Sequence, residues 1–110
     1  MTIFQAGDTA VEDLSPLEGA PLTLIAVNNC RVKDLRPVRA MPKLGFLRCD
    51  GCPIDTLAPL IESTVNELVF DYRPQRGDGK VLEQMPKLTR INHMPAKEFH
   101  LSHGLSSEFR

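Results

Sequence analysis

The stretch Leu22-Thr-Leu-Ile-Ala-Val-Asn-Asn-Cys-Arg-Val32 recurs as Leu44-Gly-Phe-Leu-Arg-Cys-Asp-Gly-Cys-Pro-Ile54, and every apolar or cysteine position returns after 22 residues. Each copy continues into a Leu-x-Pro sequence, at Leu35–Pro37 and at Leu57–Pro59. A fixed period of this length indicates stacked structural units, none of which can bury its apolar residues alone. The period therefore predicts the architecture of the chain before any single residue is considered.

The same phase extends in both directions. Units begin at residues 1, 22, 44, 65 and 88, and positions 1, 4, 6, 9, 11, 14 and 17 of each unit are predicted to point inward. The alternation around positions 3–7 is typical of a short strand, and successive strands would form a parallel sheet. We expect an α/β leucine-rich-repeat solenoid of about five coils, spanning residues 1–100. Its sheet would line the concave side, its convex side would carry 3₁₀ or short helices, and residues 101–110 would form a flexible tail.

The convex turns are predicted at Asp13–Leu17, Asp34–Val38 and Thr56–Leu60. Asp or Thr opens each segment as a helix N-cap, and Pro follows in the first turn. Beyond residue 70 a polar loop leads to a predicted helix at Lys80–Met85, with Asp78 as its N-cap. The segment Pro95–Phe99 would close the C-terminal end, with Phe99 covering the last coil, and the sequence from residue 100 onward has no sustained period.

Composition argues against several classes of partner. The formal net charge is −1, and we expect no nucleic-acid partner because that function needs a basic patch. No apolar run approaches the roughly 18–20 residues that cross a bilayer, and the N-terminus lacks the features of a signal peptide, so we expect a cytoplasmic protein with no membrane partner. The odd number of cysteines, three, argues against a secreted disulfide framework.

The C-terminal half carries a family resemblance. The Asp-Leu-x-Pro units, Asp71-Tyr-Arg-Pro74, Met85-Pro-Lys-Leu88 and Ile91-Asn-His-Met-Pro-Ala-Lys-Glu-Phe99 together resemble a bacterial leucine-rich-repeat family over residues 11–100. Such repeats are often found C-terminal to serine/threonine protein kinase domains, and their closing motif is similar to Ile-Asn-Gly-Lys-Pro-Ala-Ala-Glu-Phe-Trp. Here His93 and Met94 replace Gly-Lys. The resemblance implies a binding or scaffolding region with no catalytic residues and no cofactor.

Two of the cysteines form a metal-binding or redox motif that also has a structural interpretation. Cys49-x-x-Cys52 has the spacing of a zinc half-site or a redox pair. Both residues fall on inward positions of the repeat, as Cys30 does, and a zinc site needs further ligands nearby. We therefore interpret all three cysteines as small core side chains and assign no metal site, while metal binding or redox chemistry remains a minor alternative.

Other reactive side chains are likewise interpreted as structural. His93, His100 and His103 lie near the C-terminus and are assigned to a solvated segment. The tripeptide Arg76-Gly77-Asp78, which some adhesion receptors recognise, is assigned to the loop and helix cap. The paired acids, Glu12 with Asp13 and Asp50 with Asp55, have no nucleophile or base partner in a recognisable catalytic order, so we assign no catalytic residue.

The remaining candidate is a surface. Outward positions of the predicted strands define a candidate face, made of Leu24, Ala26, Asn28, Phe46, Arg48, Asp50, Glu67, Val69 and Asp71, and continued by Arg90 and Asn92. Leu24 and Phe46 would be neighbours on adjacent strands, and apolar, aromatic and Arg side chains are typical interface anchors. We expect a non-catalytic protein–protein interaction module. The alternative is a regulatory or targeting appendage of a bacterial serine/threonine kinase or another enzyme, although the chain has no Gly-rich phosphate loop, His-Arg-Asp or Asp-Phe-Gly motif.

Overall fold

Parallel strands stand side by side in sequence order in the computed structural model of the chain, which describes residues 3–85 and 87–105. Over these residues the sheet has six strands, and only the last pairing is antiparallel. The strands are β1 Ile3–Gln5, β2 Leu24–Ala26, β3 Phe46–Arg48, β4 Glu67–Val69, β5 Arg90–Ile91 and β6 Met94–Pro95. With its short helices, the chain has the predicted α/β class and a mostly parallel sheet.

The register of the sheet follows the sequence period. Ile3 pairs with Leu24, Leu24 with Phe46, Phe46 with Glu67, and Glu67 with Arg90. These partners are 21, 22, 21 and 23 residues apart, which are the spacings of the predicted unit starts. A slip of one residue would turn every inward side chain outward, so the buried central residue of each inner strand holds the alignment.

Short 3₁₀ helices lie between the strands; three of them fall in the segments predicted to form convex turns, and the fourth, Pro74–Arg76, lies where the sequence predicts a loop. Their bounds are Ser15–Leu17, Arg36–Ala40, Ala58–Glu62 and Pro74–Arg76. Each has a proline at its first or second position, where the missing N–H costs no hydrogen bond.

The predicted caps of the first three 3₁₀ helices need a correction. The N-cap residue is the following leucine in each case, for example Leu14 in the first helix. The side chains of Asp13, Asp34 and Thr56 instead accept a hydrogen bond from the backbone N–H two residues later. They still satisfy one N–H group of the first turn, through a local Asx- or Ser/Thr-type turn.

The predicted helix near residue 80 is present but begins earlier. Helix α1 spans Asp78–Glu83, and its N-cap is Gly77, which has a φ of 88°. The prediction that Asp78 caps this helix is wrong, because Asp78 is its first residue and makes no capping hydrogen bond to the helix. Gly77 permits the left-handed turn between the 3₁₀ helix and α1, a conformation that other residues adopt only with strain.

The C-terminal residues are more ordered than the sequence predicts. Helix α2 spans Ala96–Ser102, and the N–H of Leu105 donates to the carbonyl of His100 at 2.8 Å. The predicted tail boundary at residue 100 therefore falls inside a helix, and residues 101–105 continue the fold. Residues 106–110 of the predicted tail lie outside the described residues.

The core lies between the sheet and the short helices. The inward positions of the second and third units are all buried, among them Leu22, Ile25, Val27, Val32, Leu35, Val38, Leu44, Leu47, Ile54, Leu57 and Leu60. In the first unit Phe4, Val11 and Leu17 are only partly buried. Among residues 3–85 and 87–105, no helix has the length and apolar character needed to cross a membrane.

Candidate functional site

The candidate face contains a continuous apolar row. The register places Ile3 beside Leu24 and Leu24 beside Phe46, so three large apolar side chains lie on adjacent strands. Ile3 is 50% exposed, whereas Leu24 and Phe46 are half-buried. Ile3 was missing from the predicted site, although the period places it at the same position as Leu24. The row continues into the charged Glu67 on the fourth strand.

A charged pair borders this apolar row. Arg48 lies beside Ala26 on one strand and Val69 on the other. Its Nε donates to the carboxylate of Asp50 at 2.8 Å, and both side chains remain partly exposed. The hydrogen bond that Arg48 donates to Asp50 raises the pKa of Arg48, so this guanidinium stays charged. Val69 is buried and does not contribute to the surface, which corrects its predicted place in the site.

Polar contacts beyond the strand ends join neighbouring units. Asp8, Asn29 and Gly51 each lie three residues after a strand, and each has a positive φ. The side chain of Asn29 donates to Asp8 at 2.8 Å, and the backbone N–H of Gly51 donates to the carboxylate of Asp71 at 2.7 Å. These bonds join neighbouring units, so Asp71 is engaged within the chain.

The cysteines lie in the core, as the repeat predicts. Cys30, Cys49 and Cys52 are free and buried. The thiols of Cys30 and Cys52 each donate to a backbone carbonyl at 2.9 Å, that of Ala6 and that of Val27 respectively. Burial raises the pKa of Cys49 and of Cys52, which holds both thiols in the unreactive protonated form. In the described residues no group of three or more His, Cys, Asp or Glu side chains could hold a metal ion.

Only His100 departs from the solvated group that the sequence predicts, since His93 and His103 are exposed. His93 lies in the two-residue turn between β5 and β6, and His100 is fully buried in α2. The ring of His103 stacks on Phe99 at a centroid distance of 3.9 Å and meets Tyr72 edge-on at 4.9 Å. Two of the three histidines therefore belong to the aromatic cluster that covers the C-terminal end. The sequence analysis missed them because it predicted no helix where α2 lies.

The Asp carboxylate of the Arg76-Gly77-Asp78 tripeptide is buried, although Gly77 is exposed. Arg76 donates to both carboxylate oxygens of Asp78 at 2.7 Å, and Asp78 is 0% exposed. Two further guanidinium N–H groups donate to the carbonyls of Ile54 at 2.8 Å and Asp71 at 2.9 Å. This clamp holds the loop before α1 against the preceding unit. An adhesion receptor that needs an accessible Asp carboxylate could not reach this one.

No protein-family model and no curated protein sequence matches this chain. The evidence for a function therefore comes from the candidate face itself. The members of the face with surface that a partner could contact are apolar or carry one charge. They are the exposed Ile3 and the half-buried Leu24, Phe46, Arg48 and Glu67. Such a set can bind a partner by burying apolar area and by pairing charges at its border.

Proposed function

We propose that the chain is a leucine-rich-repeat solenoid of about five coils, related to the bacterial family that it resembles, and that it binds another protein through its concave face. The spacing of registered strand partners, which stays between 21 and 23 residues, supports the repeat. The inward positions of the second and third units, which are buried throughout, support it as well. In such proteins the extended concave surface is the usual place of binding.

One observation carries the functional part of the proposal: the apolar row formed by Ile3, Leu24 and Phe46. Adjacent strands lie about 4.8 Å apart, so the row runs roughly 10 Å across the sheet. Scattered exposed apolar side chains are normal. A contiguous row that includes the aromatic Phe46 and adjoins Arg48 has the composition of an interface centre. The row suits an apolar side chain of a partner.

The flanking charges define the rest of the partner. Arg48 is partly exposed and can share its guanidinium between Asp50 and an acceptor of the partner. Glu67 stands next to Phe46 in register and would favour a basic residue there. The proposed ligand is therefore a protein segment with an apolar anchor, an acidic group on one side and a basic group on the other.

The test is a quantitative capture experiment with the Phe46→Ala/Arg48→Ala double variant. Proteins that bind the wild-type chain should bind this variant at least about tenfold more weakly, because a central aromatic and an Arg are removed together. The matched control is Arg36→Ala/Arg39→Ala, which removes two exposed residues of a 3₁₀ helix away from the sheet. Circular dichroism establishes that both variants fold. If every captured protein binds the two variants equally well, the concave-face proposal is wrong.

A further inference from the structure

The apolar row belongs to a longer cross-strand line whose chemistry changes along its length. One residue of each parallel strand stands in this line, in the order Ile3, Leu24, Phe46, Glu67 and Arg90. The first three side chains are apolar, the fourth is acidic and the fifth is basic. A ligand that lies along the line must therefore present apolar groups, then a cation and then an anion.

Glu67 places a half-buried carboxyl side chain in this line, next to Phe46. Arg90 stands beside it on the following strand, but the guanidinium of Arg90 donates to the carbonyl of His93 at 2.7 Å. Over residues 3–85 and 87–105, no Lys, Arg or His forms a salt bridge with Glu67. A partly desolvated carboxylate beside an apolar row favours a Lys or Arg of a partner.

The candidate face is wide enough for one helix. The polar residues Asn28, Asp50 and Asp71 each lie four residues beyond a member of the cross-strand line, which is about 13 Å along the strands. An α-helix with its side chains has a diameter of about 10–12 Å. Between the two lines Ala26 is small, and the hydrogen bond from Arg48 to Asp50 at 2.8 Å holds that guanidinium toward the polar side. A helix can therefore lie across the strands between an apolar and a polar border.

The spacing of the cross-strand line distinguishes a helix from an extended segment. Adjacent strands lie about 4.8 Å apart, so roughly 14 Å separates Leu24 from Arg90. Side chains on one face of a helix recur about every 5.4 Å, so a helix is roughly 2 Å out of step after three intervals. Side chains on one face of a strand recur about every 6.7 Å, so an extended segment is roughly 6 Å out of step, more than one whole strand. Of the two, the helix can place one residue on every strand.

We infer that the candidate face takes an amphipathic α-helix of a partner protein, which lies across the strands along the cross-strand line. This ligand presupposes the protein-binding function proposed for the face. Apolar side chains on successive turns cover Ile3, Leu24 and Phe46. On the next turn a Lys or Arg pairs with Glu67, and an Asp or Glu one turn further pairs with Arg90.

Three synthetic peptides that carry the same four side chains test this ligand. The first is an Ala/Gln helix with Leu, Phe, Lys and Glu on successive turns of one face and a hydrocarbon staple on the opposite face. The second has the same staple, but its four residues follow in the order Lys, Leu, Glu and Phe. The third keeps the first order at every second position of an unstapled, proline-containing segment, which cannot form a helix. Each is made in both chain directions, because the line does not fix the direction of the helix.

The first peptide should bind the intact chain at least about tenfold more tightly than the other two in fluorescence anisotropy, because it alone matches the spacing and the order of the line. Glu67→Lys should reverse the preference between this peptide and a version with Glu in place of Lys. The matched control is Glu18→Lys, which changes an exposed carboxylate at the end of a 3₁₀ helix and should leave the preference unchanged. Circular dichroism establishes that both variants fold.

Failure of the helical ligand can be told apart from failure of the proposed function. Equal binding of the first and third peptides, no binding of the first, or a preference that Glu67→Lys does not alter would overturn the helical ligand. If captured proteins still bind the Phe46→Ala/Arg48→Ala variant more weakly, the face remains a protein-binding surface with a ligand of another shape. If that variant changes neither capture nor peptide binding, both proposals are wrong.

Discussion

Removing the charge of Asp78 should destabilise this protein more than removing any exposed carboxylate. In the wild type, Arg76 donates to both oxygens of Asp78, and the two side chains are 11% and 0% exposed. Asp78→Asn keeps the shape of the side chain and one oxygen for the N–H of Arg73, which donates to the carboxylate at 2.8 Å. It leaves the guanidinium buried without its counter-charge.

The magnitude follows from the burial of the pair. Breaking a buried ion pair by removing one partner costs about 3–5 kcal/mol, because the other charge stays out of water. Since Asn retains an acceptor for Arg73 and Arg76 still reaches two carbonyls, we expect the lower end, about 3 kcal/mol. A domain has a free energy of unfolding of only about 5–15 kcal/mol, so the loss is a large part of the total. At about 4–8 °C per kcal/mol for a domain of this size, the Tm falls by roughly 12–24 °C.

The assay is urea denaturation followed by far-UV circular dichroism, and the chain supplies its own control. Arg36 and Asp34 form the same type of pair, also two residues apart, but their side chains are 72% and 42% exposed. Asp34→Asn should therefore change the free energy of unfolding much less, because water screens exposed pairs. If the two variants lose the same stability, burial does not determine the strength of the Arg76–Asp78 clamp and the reasoning is refuted.

Three further predictions concern the C-terminal end and a surface carboxylate. Phe99→Ala should lower the free energy of unfolding by about 3–5 kcal/mol, measured by calorimetry. Phe99→Asp should lower it further, because this variant puts a carboxylate into an aromatic cluster. An unchanged Tm would contradict the role of Phe99 as a cover. His93 has a φ of 71° in the turn with Asn92, so His93→Gly should stabilise the protein by about 0.5–1 kcal/mol in urea denaturation, and a loss of stability would refute this. Hydrogen bonds from the side chain and backbone N–H of Arg36 lower the pKa of Asp34 in the folded protein. These contacts therefore stabilise the fold at pH values above the ordinary Asp pKa. Their effect is lost as the pH falls through the pKa that Asp34 has in the folded protein. Arg36→Gln should raise the pKa of Asp34 in an NMR titration, and an unchanged pKa would disprove the assigned cause.

The structural features that the sequence predicted correctly lie where one residue type repeats at a fixed position. The period predicted the strand spacings, the burial of the apolar positions in the second and third units, and the packing of the cysteines in the core. These features depend on local alternation and on identical neighbours, so each copy predicts the environment of the next. The apolar row across Leu24 and Phe46 follows from the same rule, and so does its extension to Ile3.

The features that depart from the period could be recognised only in the tertiary structure. Val69 occupies an outward position yet is buried, and it stands in register with Arg48, whose long side chain can shield an apolar neighbour. The Arg–Asp pairs of other units, Arg36–Asp34 and Arg48–Asp50, are much more exposed than the clamp between Arg76 and Asp78, so the repeat did not predict its burial.

By itself, then, the sequence predicted the order, direction and register of the first five strands, because the apolar positions recur at nearly the same interval. Only the tertiary structure decided how the segments that depart from this period pack. At the C-terminal end α2 brings Phe99 and His103 over the last strands. In the first unit Phe4 and Val11 are only partly buried, although the period gives them inward positions. Burial depends on which neighbours are present in space, and a repeat pattern does not encode them.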